Sequence, residues 1–168
     1  MLELININEL RAEAERKIKY YEEQKEIFNI IKEVFKKSEG KQLNKRIANT
    51  LKNELNKIDE KINVSYNKDS YGWYNFYIWN SNEKSQIDYN NRILLMFTEE
   101  NTDDGKINYN KFIQKFTWLD NPIKNISEVK TDLNRINNTN IIEEYNKAIE
   151  TINKTKDTLK ALKYSLNK

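Results

Sequence analysis

The stretch Ile62-Asn-Val-Ser-Tyr-Asn-Lys-Asp-Ser-Tyr-Gly-Trp-Tyr-Asn-Phe-Tyr-Ile-Trp-Asn80 decides the fold. Ile62, Val64 and Tyr66 alternate with Asn63, Ser65 and Asn67, the period of a half-buried strand. Asn67 to Gly72 collects turn-forming residues, and Trp73 to Asn80 is a second strand whose aromatic side chains suit a pleated surface. Strand alternation puts Trp73, Asn75, Tyr77 and Trp79 on one face and Tyr74, Phe76 and Ile78 on the other. The second row is the cleaner apolar set and is expected to face helices.

Downstream, Ser81-Asn-Glu-Lys-Ser85 reads as another turn. A third strand, interrupted at Asn90-Asn91, ends in the run Ile93-Leu-Leu-Met-Phe97. That run is apolar on both faces, which places it centrally or under cover on both sides. Lys106 to Tyr109 offers a fourth strand if it pairs back on this meander.

Helical periods flank the strands. Upstream, Asn6-x-x-Glu9 is a capping-box pattern before Leu10, Ala14, Ile18, Tyr21, Phe28, Ile31 and Phe35, one face at steps of three and four. The face broadens between Ile27 and Phe35, so that end is expected in the core, and Gly40 ends the segment. Leu43, Ile47, Leu51, Leu55 and Ile58 predict a second helix over roughly residues 41–59. Downstream, Tyr109, Phe112, Ile113, Phe116 and Leu119 form one helical face, and Asn121-Pro122 opens the next helix. Asn140-x-x-Glu143 is a second capping-box pattern, and behind it Ile142, Tyr145, Ile149, Ile152, Leu159 and Leu166 fit a heptad.

The predicted class is therefore α+β, with long N- and C-terminal helices flanking a small antiparallel meander of three to four strands. A single domain over 1–168 is expected: a helical pair at 1–60, the meander at 61–98 and helices at 107–168, the last pairing with the first. Dimerisation through the terminal heptads is the alternative use of those narrow stripes.

Composition removes whole classes of chemistry. The chain has no Cys and no His, which takes away disulfides, thiolate nucleophiles, most zinc sites and the commonest general base. Only three glycines occur, so a glycine-rich phosphate loop is absent. No spacing singles out a carboxylate pair among Asp88, Asp103, Asp104 and Asp120, so no enzymatic activity and no cofactor are expected. Net charge is only +3, and Lys outnumbers Arg by 24 to 5, which reads as AT-rich codon usage. No apolar run approaches the ~20 residues of a membrane span. The amino terminus lacks a signal-peptide pattern, so no membrane partner and a cytoplasmic location are expected.

Three sites stand out. Tyr71, Trp73, Tyr77 and Trp79 combine Trp and Tyr with neighbouring Asn, a composition enriched in protein interfaces; the competing reading is that helices cover both sheet faces and these rings are core. Lys36, Lys37, Lys41, Lys45 and Arg46 form a basic junction that would suit phosphate and hence nucleic acid, against the reading of a solvated helix cap. Glu99 to Ile107 imitates part of a calcium loop, but Lys111 stands where the bidentate glutamate belongs, so no metal site is expected. The function expected is a non-enzymatic module that binds and blocks another protein, as small accessory, inhibitor or immunity proteins of phages and mobile elements do. Nucleic-acid binding through the basic junction is the alternative.

Overall fold

The computed structural model describes residues 2–81, 92–138 and 140–167. The expected turn at Ser81-Ser85, beyond its first residue, and the interruption at Asn90-Asn91 lie outside them. The architecture is α+β, with an element order of α1 (Ile7–Lys37), α2 (Lys45–Leu55), β1 (Ile62–Lys68), β2 (Tyr74–Asn80), β3 (Ile93–Phe97), α3 (Tyr109–Lys115), α4 (Asn121–Asn138) and α5 (Ile141–Leu166). These elements form two compact units, Glu22–Ile123 and Met1–Tyr21 with Lys124–Lys168.

The Glu22–Ile123 unit holds the sheet. Its strands run antiparallel in the order β1-β2-β3, with Val64 opposite Ile78 and Phe76 opposite Leu95. Tyr74, Phe76 and Ile78 are buried as the alternation requires, together with Ile62, Leu95 and Phe97. Phe35 of α1 is the hub of this core. Its ring centroid lies 4.6 Å from Phe112, 5.5 Å from Phe97 and 5.8 Å from Phe76, the spacings at which aromatic pairs attract. α2 adds Ile47, Ala48, Leu51 and Leu55.

Helix α2 starts at Lys45 rather than near residue 41, because the backbone before it is engaged elsewhere. Gly40 N–H donates to the Ile107 carbonyl at 2.8 Å and Leu43 N–H to the Gly105 carbonyl at 2.9 Å. Asn44 then caps the helix, its side-chain oxygen accepting from Arg46 N–H at 2.9 Å. These bonds also correct the expected fourth strand. Lys106 bridges Gln42 instead of returning to the meander, and extension stops where Asn108 caps α3. At Gly105, with φ +79°, a Cβ would come within 2.6 Å of the Tyr74 hydroxyl, so only glycine lets the loop approach the sheet so closely.

In the other unit, Asn6 caps α1 in keeping with its sequence pattern, its side-chain oxygen accepting from Asn8 and Glu9 N–H at 3.0 and 3.2 Å. The second capping box does not form: Asn140 precedes α5 without a side-chain cap bond. Asn146 of α5 makes a reciprocal pair with Ile5, accepting its N–H at 2.7 Å and donating to its carbonyl at 2.8 Å. Arg11 Nε donates to Asn137 at 2.8 Å. The apolar core here is thin, with Ala14, Ile126 and Ile149 buried. From Ile152 onward α5 presents Leu159, Leu162 and Leu166 to solvent. No helix among the described residues is long and apolar enough to cross a membrane.

Candidate functional site

The face of the sheet opposite the core is built by the odd-numbered residues of β2. Tyr77 sits in its middle, between Ser65 of β1 and Leu94 of β3, while Trp79 stands opposite Asn63 and Asn75 between Asn67 and Met96. Cross-strand neighbours at this register are about 5 Å apart. One side of the face is therefore a polar row (Asn63, Ser65, Asn67), the other an apolar one (Leu94, Met96), with the aromatic row between them. Trp73 and Trp79 mark its two ends, roughly 20 Å apart at strand rise.

None of Tyr71, Trp73, Tyr77 and Trp79 belongs to the core. Tyr71 is 81% exposed and Trp73 38%, while Tyr77 and Trp79 are half-buried. β3 departs from expectation. Leu95 and Phe97 are buried, but Leu94 is 43% exposed and Met96 only partly covered, and β2, not β3, is the central strand. A run apolar on both faces predicts cover on both faces. Here its second face joins the open surface instead, as an apolar patch.

The end of this surface bearing Tyr71 and Trp73 is organised by Asp69. Its Oδ1 accepts from Tyr71 N–H at 2.9 Å and Trp73 N–H at 3.0 Å, and its Oδ2 accepts from the Asn75 side-chain amide at 3.1 Å. The backbone closes the same turn, with Asp69 N–H donating to the Trp73 carbonyl at 3.0 Å and Gly72, at φ +80°, to the Asp69 carbonyl. Desolvation raises the Asp69 pKa, but the bonds from Asn75, Trp73 and Tyr71 outweigh it and hold the carboxyl below its ordinary value. The rings of Tyr71 and Trp73 contact each other at 5.6 Å between centroids. Asn75 is only 4% exposed, and its amide also reaches Asn67 at 3.3 Å. Sequence reasoning gives Asp69 no role beyond its place in a turn. The signal that points to it is an aspartate two and four residues before two large aromatics, the spacing of an Asx turn.

The basic junction is exposed throughout. Lys36, Lys37, Lys41, Lys45 and Arg46 all face solvent, and Lys37 stands 3.8 Å from Glu33. Glu39, the acid among them, is engaged: its carboxylate accepts from Tyr109 N–H at 2.6 Å at the start of α3.

In the acidic loop, Lys111 Nζ lies 2.8 Å from Asp103 Oδ1 and 3.2 Å from the Thr102 carbonyl. An ammonium group thus sits among the oxygens that a cation would use. The bonds from Lys111 and Asn108 hold the Asp103 carboxyl below its usual range. No cluster of three or more metal-ligating acids occurs among the described residues.

Comparison with protein-family models, with curated proteins and with solved structures finds no match to this chain.

Proposed function

We propose that the chain is a protein-interaction module and that the open face of the sheet is the surface it uses. One observation carries this reading: Trp73, Tyr77 and Trp79 stand outside the core in a row flanked by Leu94 and Met96. Such a face offers rigid aromatic anchors, an apolar strip and a polar margin, the composition in which interface hot spots are found. Two or three aromatic side chains desolvated by a partner are enough to anchor a complex, and no reacting group is needed. The module acts by occupying a surface of its partner, as a small inhibitor or accessory protein does.

The test is capture of partners from the native host with the tagged wild-type chain and with a Trp73→Ala/Tyr77→Ala/Trp79→Ala variant, after nuclease treatment and in high salt. A discrete protein retained by the wild type and lost by a still-folded variant supports the reading. Equal retention by both removes the open face from consideration.

A second reading rests on the five exposed cations of the α1–α2 junction, which would engage phosphate. It requires binding that falls steeply with salt and is lost when Lys36, Lys41 and Arg46 are neutralised.

A further inference from the structure

A groove of about 490 Å³ opens in the Glu22–Ile123 unit, where the Asn80 end of β2 meets α1 and the segment after α2. Its apolar lining includes Ile27, Ile58 and Ile93, each left half-buried. Among the described residues that line it, the charged ones are acidic: Glu23, Glu26 and Asp59. Glu23 and Glu26 lie three residues apart on α1, so they project from neighbouring positions, and both are exposed. Asp59 is held in place, accepting from Lys61 N–H at 2.9 Å and the Asn80 side-chain amide at 3.0 Å. Neither bond brings a positive charge, and no ion pair links any of these three acids to a cation among the described residues.

We infer that this groove takes a basic, apolar segment of a partner protein, with aliphatic side chains on the isoleucines and Lys or Arg against Glu23, Glu26 and Asp59. Charge complementarity selects the occupant. The whole chain carries +3, so a cationic segment is not attracted in bulk and is favoured only where acids gather without counter-ions. The groove is open to solvent, which suits a length of polypeptide better than a small enclosed ligand. Trp79 borders both this groove and the open sheet face, so one partner can span the two. The inference deepens the protein-interaction reading by naming the chemistry of the partner, and its test does not depend on that reading.

The test titrates the full chain with a fluorescein-labelled peptide of alternating lysine and isoleucine, and with its glutamate-for-lysine counterpart. Binding is followed by anisotropy and by isoleucine and methionine methyl NMR. Expected are binding of the lysine peptide alone, methyl shifts at Ile27, Ile58 and Ile93, and roughly tenfold weaker affinity for Glu23→Gln/Glu26→Gln. Those two positions are exposed, so an unchanged unfolding midpoint confirms that the variant is folded. Absence of binding, or equal affinity for the double variant, overturns the proposal. Loss of affinity in Tyr77→Ala with shifts confined to Met96 also overturns it, because the peptide would then sit on the open face. A failure here leaves the capture experiment with the aromatic variant to decide the open face separately.

Discussion

The Asp69 carboxylate fixes the backbone of Trp73: Oδ1 accepts the Trp73 N–H at 3.0 Å, and the Trp73 carbonyl accepts the Asp69 N–H at 3.0 Å in return. The position of one end of the aromatic face therefore depends on a charge four residues away. Asp69→Ala is expected to release the turn and shift the Tyr71 and Trp73 resonances in an NMR spectrum, leaving those of the buried Phe76 in place. Asp69→Asn keeps an acceptor and should perturb them less.

The same bond sets a pH dependence. The Asp69 carboxyl in the folded chain lies below its reference value of 3.8, so the charged form is the one that folding favours. Its contribution is present above that reference value and is lost as pH falls through the lower folded value. Amide shifts of Tyr71 and Trp73 followed from pH 5 to pH 2 should titrate with a midpoint below 3.8, and a midpoint above it contradicts the assignment.

Truncation in the core and on the turn before β2 should differ widely in cost. Phe76 is fully buried among Phe35, Tyr66 and Phe97. Phe76→Ala is expected to cost about 3–5 kcal/mol in denaturant unfolding. Tyr71→Ala, on the exposed turn, is expected within about 0.5 kcal/mol of wild type.

Much of this division is legible in the order of the residues alone. Period-two alternation in β1 and β2 separates Phe76 from Tyr77, and the three–four spacing in α1 places Phe35 inward, because each period leaves only one face available to a core. The departures depend on partners that sequence spacing does not encode. Spacing does not say that one face of β3 leaves Leu94 exposed, nor that Lys106 bridges Gln42 through a loop that only Gly105 can make. Asn140 carries the residue pattern of a cap without the backbone geometry, at φ −89° and ψ 10°, that aims its side chain at the first turn.

Gly105→Ala should be the most damaging of the three glycine substitutions. The added methyl meets Gln42 Nε2 and the Tyr74 hydroxyl at 2.6 Å and must hold φ at +79°. The expected loss is on the order of 1–3 kcal/mol. Gly72→Ala, with nothing within 4 Å, opposes only its positive φ and should cost about 1 kcal/mol. Thermal unfolding of the two variants side by side checks the order.

The exposed end of α5 makes a separate prediction. Leu159 is 60% and Leu166 85% exposed, so Leu159→Ser/Leu166→Ser should leave the unfolding midpoint close to wild type. Sedimentation at micromolar concentration is expected to give the monomer mass of 20.2 kDa. A mass or midpoint that rises with concentration, and no longer does in the variant, would show pairing through the heptads.

The division of the chain into units has a consequence for how it is made. The Glu22–Ile123 unit is contiguous, so its described strands and the Phe35 hub can leave the ribosome before the whole of Lys124–Lys168 has followed. The other unit joins the residues before Glu22 to Lys124–Lys168 and cannot close until that later segment has emerged as well. A nascent chain stalled well beyond residue 123 should already protect the sheet from proteolysis, with the amino-terminal turns of α1 still waiting for their counterpart.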